Sequence, residues 1–384
     1  MRFIHTADWH LGRLFHGMHL TGDQAHVLGQ LVDLVKDAKA QAVIIAGDVF
    51  DRAVPPPEAV ELFDEVLARL ALDLKVPVIA IAGNHDSPQR LGFGARLFSS
   101  SGVHVCGRVS RQMLAVELAD EHGPVRFYAL PYAEPPVVRE CFGDGEVVDH
   151  DSAMRRCVRE IGQSHPAGCR GVLVAHGFVT GGRECESERP LCVGGSSSVS
   201  ENHFGGFNYV ALGHLHEPQE VEGGRAHYSG SLLKYSISEA EHEKSISIVD
   251  MDGAGKCIVE RVALSPRHDV RCLRGLLADI LKGPAPGENR EDYVHVTLEA
   301  AGALLDPIGR LREFYPNVIG IDRPEFVARA QGDDRRIDHR KVGDADLFAA
   351  FMDQVTGTKL TPEQAEAFAQ VAGTLRAEER EVLA

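Results

Sequence analysis

No apolar run in this chain is long enough to span a bilayer, and none of its eight cysteines falls in a Cys-x-x-Cys pair. The first absence argues against a membrane-spanning helix. The second argues against a zinc ribbon and a disulfide framework, and suits reduced thiols in a cytosol. The opening MRFIHTADWH is polar from its fifth residue and has no signal-peptide core. Positive charge is also scarce. Forty Lys and Arg stand against 56 Asp and Glu, a formal net charge of −16. A protein that grips bare duplex through a broad basic face is usually positive. A nucleic-acid substrate would here be met locally, through metal ions, or with a partner's help. No internal repeat or low-complexity tract stands out.

What is present is ordinary globular material, 44% apolar and 25% charged over 384 residues. That length carries one large domain plus one or two smaller ones. Strands and helices alternate in the first part. RFIHTA (2–7), AVIIAG (42–47) and VPVIAIAG (76–83) read as strands, the last two continuously apolar, as strands buried on both faces are. GDQAHVLGQLVDLVKDAKA (22–40), PPPEAVELFDEVLARLAL (55–72) and SAMRRCVREIGQS (152–164) read as helices. VRFYALP (125–131), GVLVAHG (171–177) and FNYVALG (207–213) are further strands, and 244–253 and 255–264 alternate like an antiparallel pair. The pattern predicts an α/β protein built as a four-layer αββα sandwich, two sheets in the core with helices outside.

Pro266 follows a strand end and marks a boundary, so the first domain is expected over 1–265. A smaller α/β unit follows over 266–328, with helices expected at 272–283 and 307–315 and strands at 292–300 and 317–322. Residues 329–343 are charged and poor in apolar side chains, and read as a linker. The tail, 344–384, holds two short amphipathic segments. Phe348 and Phe351 share a face of the first, and Phe368, Val371 and Leu375 a face of the second. Thr361 and Pro362 suit the N-cap and first turn of the second.

Ligands of α/β sheets bind beyond the carboxyl ends of strands. Five apolar strands here end in polar groups: Asp8-Trp9-His10, Gly47-Asp48 through Asp51-Arg52, Gly83-Asn84-His85-Asp86, His176-Gly177, and His214-Leu215-His216. Any one could be chance. All five together are not, because buried polar groups cost free energy unless partnered. A metal centre supplies the partner. Carboxylates, an amide oxygen and imidazoles, without thiolate, suit a divalent ion such as manganese, with magnesium or another first-row ion as the alternative. Seven such groups exceed the needs of one ion. They fit two ions bridged by one carboxylate, about 3.5–4 Å apart. Gly47, Gly83, Gly177 and Gly213 would allow sharp exits from the strands.

The set Asp-x-His, Gly-Asp-x-x-Asp, Gly-Asn-His-Asp, His-Gly and Gly-His-x-His over residues 8–216 resembles the calcineurin-like metallophosphoesterases. With RFIHTADWHLGR, AGDVFDRAVPP, AGNHDSPQRL, SERPLCVGG (187–195), YVALGHLHEPQ and HYSGSLL (227–233), the chain is similar to the Mre-type repair nucleases, the family of the nuclease subunits of bacterial SbcC–SbcD complexes. The resemblance implies that Asp8, His10 and His216 hold one manganese and Asn84, His176 and His214 the other, with Asp48 between them. It implies that His85 is the catalytic histidine. Archaeal and eukaryotic relatives carry a second histidine where this chain has Asp51, so Asp51 is expected to orient a ligand rather than move a proton. Arg52 either meets a phosphate oxygen or is a solvated surface arginine.

The same resemblance makes the unit after 266 a capping domain and the final helix pair a docking segment for an SbcC-type, SMC-like ATPase. Two nuclease and two ATPase chains are expected, with self-association of the nuclease as a dimer. Double-stranded DNA ends and hairpins are the expected substrates, at the nucleoid in the cytoplasm and without a membrane. The activity would be exonuclease and endonuclease cleavage in repair, recombination and replication. Two other readings compete: a stand-alone phosphatase or phosphodiesterase acting on a small phosphoester, and a non-catalytic scaffold. The filled ligand positions argue against the scaffold. The C-terminal third argues against the small-molecule enzyme.

Overall fold

A computed structural model describes residues 1–191, 197–221, 224–299, 304, 306–324, 344–356 and 358–382. The chain forms two compact units, Met1–Asp269 and Val270–Ala384. The first contains strands β1 (Arg2–Thr6), β2 (Leu14–Phe15), β3 (Met18–His19), β4 (Val43–Ile45), β5 (Val78–Ile81), β6 (Val103–Cys106), β7 (Leu114–Asp120), β8 (Gly123–Ala129), β9 (Arg170–His176), β10 (Tyr209–Gly213), β11 (Gln219–Glu220), β12 (Ala226–Tyr228), β13 (Ser245–Met251) and β14 (Cys257–Ala263).

Two six-stranded sheets form the middle of this unit, in the orders β14-β13-β1-β4-β5-β6 and β11-β12-β10-β9-β8-β7. The first is antiparallel at one edge and parallel across the rest, and the second is parallel at the centre and antiparallel at both edges. The period-two alternation of a strand sorts its side chains. Ile44, Ile79 and Ile81 from one sheet meet Phe127, Val172, Val174 and Ala211 from the other in a shared core. Phe3 is wedged there, edge-on to Phe127 at 5.5 Å and to Tyr209 at 5.6 Å. The outer face of the second sheet packs Tyr128, Leu173 and Leu212 against Val138, Met154, Cys157 and Ile161 of helices Pro135–Phe142 and His150–Ser164. Helices Thr21–Asp37 and Pro57–Ala68 bury one apolar stripe each. The result is the expected α/β sandwich. No helix among the described residues is long and apolar enough to cross a membrane.

The second unit has a three-stranded parallel sheet, β15 (Val270–Gly275), β16 (Tyr293–Leu298) and β17 (Val318–Asp322). One expectation fails here. Residues 272–283 were expected to be a helix, yet the first part is β15 and only Leu277–Ile280 is helical. Leu273, Leu276, Leu277 and Ile280 do have helical spacing, but six residues of β15 pair in register with β16. A full ladder outweighs a weak local preference.

In the tail, helices Asp344–Thr356 and Pro362–Val382 form where the periodicity placed them. Thr361 and Gln364 exchange side-chain and backbone hydrogen bonds at the second N-terminus. The two helices do not leave all of their apolar faces wet. Phe348 stacks on Phe368 with centroids 4.1 Å apart, and both rings are half-buried. Phe351 and Val371 remain 55% and 61% exposed. The side chain of Leu375 lies outside the described residues, as does the linker over 329–343.

Candidate metal centre

The loops that leave β1 and β4 run side by side. Asp8 N donates to Gly47 O (3.1 Å), His10 N to Asp48 O (3.0 Å) and Leu11 N to Val49 O (2.9 Å). This lacing forces unusual backbone. Asp8, His10, Asp48 and His214 all have positive φ, at 53°, 46°, 49° and 109°. A non-glycine residue held there costs about 1–3 kcal/mol, and such strain clusters at functional sites. The expected glycines contribute differently. A Cβ on Gly83 would strike the Asp48 carboxylate, and one on Gly213 the Ala46 carbonyl. Those two positions need glycine for close approach. Gly177 has open space around it and normal φ, so the sharp exit expected there is not found.

Asp86 ties two loops together. Its carboxylate accepts from Val49 N (3.1 Å), Phe50 N (2.9 Å) and Gly83 N (2.9 Å). Burial, then the neighbouring Asp48, pushes its pKa up to about 7, against the pull of those three donors. Asp86 stands in the Gly-Asn-His-Asp motif, and nothing in the sequence marks this bracing role. Gln24 and Tyr235 were also missed. The Gln24 amide donates to Trp9 O (3.1 Å), His10 O (2.8 Å) and the Tyr235 hydroxyl (3.1 Å), and Tyr235 in turn donates to Trp9 O. Nothing in the spacing links position 24 to position 235.

The seven predicted side chains converge. His10 Nε2 lies 3.1 Å from His216 Nε2. Asn84 Oδ1 lies 2.9 Å from His176 Nε2 and 3.2 Å from His214 Nδ1. One carboxylate oxygen, Asp48 Oδ2, stands 3.7 Å from His10 Nε2 and 3.5 Å from His176 Nε2. It therefore faces both clusters. Asp8 presents both carboxylate oxygens to His214 N at 3.0 Å. Asp8, His10 and His216 lie within ligand reach of one another, as do Asp8, Asp48 and His176.

The chemistry of these donors fits cations. Donors cis to one another on an octahedral ion at about 2.1 Å lie about 3 Å apart, which is the spacing seen in both clusters. His176 Nδ1 points to Ala46 O (2.9 Å) and His216 Nδ1 to Ser187 Oγ (2.7 Å). Each ring thus spends its outer nitrogen on the protein and turns the inner one to the cluster. His10 Nδ1 is buried with no hydrogen-bond partner, the Asp51 carboxylate standing 3.6 Å away. Burial, then the Asp48 carboxylate, holds the Asp8 pKa well above its usual value. Burial and then neighbouring imidazoles push His10 and His214 well down. Neutral imidazoles around crowded carboxylates are what a cation relieves.

His85 borders both groups. Its backbone N–H donates to Asp48 Oδ1 (2.9 Å), its Nδ1 points to the Asp51 carbonyl (2.8 Å), and its ring lies edge-on to His10 at 4.7 Å. Asp51 also accepts from Arg13 Nη1 at 2.9 Å. Arg52 is exposed on the same loop. The partner-docking candidates Phe348, Phe351, Phe368 and Val371 belong to the other unit.

A two-sheet sandwich with such donors at the carboxyl ends of its parallel strands defines a calcineurin-like phosphoesterase, and the family of that description matches residues 1–218. A second family, described as the type 5 capsule protein repressor C-terminal domain, matches 266–356. SbcD, the D component of the nuclease SbcCD, from Staphylococcus saprophyticus is 32% identical over 366 residues, 95% of this chain and 96% of that one. The chain belongs to the SbcD family of calcineurin-like phosphoesterases. Among solved structures, the calcineurin-like phosphoesterase YfkN of Bacillus subtilis covers 69% of this chain and 90% of its own, at 12% identity and a TM-score of 0.37. A dimetal phosphatase from Danio rerio covers 69% and 99%, at 14% identity and a TM-score of 0.40.

Proposed function

We propose that the chain is a metal-dependent DNA nuclease, the catalytic subunit of an ATP-driven complex that processes DNA ends in repair and recombination. The observation that carries the two-ion form of this reading is the single oxygen, Asp48 Oδ2, set between the His10 and His176 nitrogens. Asp8, His10, Asp48 and His216 would hold one divalent ion. Asp48, Asn84, His176 and His214 would hold the other. The all-oxygen-and-imidazole donor set favours manganese. When bound, the ions supply Lewis acidity at the phosphoryl oxygens and a nucleophile at neutral pH.

The protein's own groups do the rest. His85 directs Nδ1–H to the Asp51 carbonyl and, as the imidazolium, would pass its Nε2 proton to the leaving oxygen, ending as the neutral Nδ1–H form. Asp51 steadies this histidine through its carbonyl and faces His10 Nδ1 with its carboxylate. It acts as an orienting group. Arg52 meets a phosphate oxygen from the exposed loop.

The staphylococcal relative is one component of SbcCD. By that likeness an SbcC-type ATPase is the partner, two chains of each are assembled, and the complex works on DNA at the nucleoid. We assign residues 1–265 to the nuclease domain, 266–328 to the cap, 329–343 to a linker and 344–384 to docking. The exposed Phe351 and Val371 support docking through the tail. Phe93 and Leu97, 80% and 77% exposed, with Phe98 beside them, support self-association of the nuclease.

The test is cleavage of linear duplex DNA by the purified chain in Mn²⁺ or in chelator, with and without the ATPase and ATP. Mn²⁺-dependent cleavage that the ATPase and ATP stimulate is expected. Hydrolysis of small phosphoesters with no DNA cleavage would overturn the assignment.

A further inference from the structure

His216 is gripped from behind by residues to which no role has been given so far. The Ser187 hydroxyl lies 2.7 Å from His216 Nδ1 and donates to Glu239 Oε1 at 2.5 Å. Glu239 is fully buried. Its Oε1 also accepts from Tyr235 N (3.2 Å), and its Oε2 from Lys244 Nζ (2.5 Å). Lys244 is buried too, and its ammonium donates to the backbone carbonyl of His216 (2.8 Å) and to Ser231 Oγ (2.9 Å). Residue 216 is therefore held at its carbonyl by Lys244, at its N–H by Glu188 Oε1 (2.7 Å), and at its ring Nδ1 by Ser187 and, at a longer 3.4 Å, by Glu239 Oε1.

The direction of these bonds fixes a tautomer. A carboxylate paired with an ammonium is an acceptor only, so the single Ser187 proton goes to Glu239. Toward His216 the serine oxygen must accept. His216 Nδ1 then carries the hydrogen, and the Nε2 lone pair points into the cluster, where His10 Nε2 lies 3.1 Å away. A buried ion pair is a poor way to gain stability, since apolar residues of equal volume often do as well or better. Its members here converge on one residue.

We propose that Ser187, Glu239 and Lys244 are positioning residues: a buried hydrogen-bonded chain that holds His216 in its Nδ1–H tautomer with Nε2 aimed at the ion, and so sets the affinity of the Asp8–His10–His216 position. This rests on the metal-centre reading above and deepens it. Groups behind a ligating histidine typically change metal affinity about 10–100-fold when removed.

The experiment has two arms. In the metal-free protein labelled with ¹⁵N-histidine, the His216 resonances are assigned by their loss in His216→Gln. Wild type should show the Nδ1–H form, and Ser187→Ala should shift it toward a mixture. In the second arm Mn²⁺ is titrated into wild type, Ser187→Ala and Ser187→Thr. Ser187→Ala should weaken one of the two sites about 10–100-fold and leave the other unchanged, while Ser187→Thr, which keeps the hydroxyl, should restore it. Glu239→Gln/Lys244→Met, which leaves no unpaired charge, should behave like Ser187→Ala. An unchanged tautomer together with wild-type affinity in folded Ser187→Ala would overturn the proposal, as would equal losses in the Ala and Thr variants. If wild type itself binds no Mn²⁺, the metal-centre reading fails, and the tautomer arm still decides the role of Ser187.

Discussion

His85 is fixed by its own backbone N–H on Asp48 and by its ring on the Asp51 carbonyl; it lies within ligand reach of His10 and Asp51, and the proposed function assigns it to neither ion. Removing its ring should therefore leave the ions in place and remove a proton donor. His85→Gln is expected to bind Mn²⁺ as wild type does and to turn over about 10²–10⁴-fold more slowly, as measured by single-turnover cleavage beside a metal titration. A rate within a few-fold of wild type would contradict the role. The seven candidate donors and His85 were legible in the sequence because Asp8 and His176 stand at the ends of apolar strands, Asp48, Asn84 and His214 follow a glycine, His10, His85 and His216 lie within two residues of one of these, and all occur as a set. The bracing residues were not. Asp86, Gln24, Tyr235, Ser187, Glu239 and Lys244 act through hydrogen bonds that cross up to 226 positions of sequence, and a buried glutamate or lysine looks the same as an exposed one until its partner is seen.

At the scale of elements, the parallel strands were readable because strands buried on both faces are continuous apolar runs. β15 was not, because its leucines satisfy a helical spacing and only its pairing with β16 selects the strand. The two central sheets deliver the site from opposite sides: β1, β4 and β5 bring Asp8 to His85, while β9 and β10 bring His176, His214 and His216. The centre therefore depends on the sheets staying in register across their shared core. Phe127 carries much of that contact through Phe3. Phe127→Ala should cost about 3–5 kcal/mol by cavity formation, read from urea unfolding. A loss under about 1 kcal/mol would mean that the layer between the sheets repacks freely.

At the scale of the molecule, the acidic balance of −16 and the terminal helix pair point the same way. On the proposed function a partner would supply part of the hold on DNA, and the exposed Phe351 and Val371 would receive it. A chain truncated at Val342 should keep Mn²⁺-dependent cleavage of model substrates, lose co-purification with the ATPase, and lose ATP-dependent processing of duplex ends. Undiminished complex formation would place the docking surface elsewhere. The packing of Phe348 on Phe368 narrows the exposed surface to a smaller patch than periodicity alone suggested.

The proposed function rests on one carboxylate, that of Asp48, serving two ions. The most direct measurement is metal content by elemental analysis of wild type and of Asp48→Ala, each reconstituted with Mn²⁺ and freed of excess. The two-ion account predicts two ions per chain in wild type and fewer than one in the variant, whose backbone fold by circular dichroism should be unchanged. Two ions retained by Asp48→Ala, or a single ion in wild type, would contradict it.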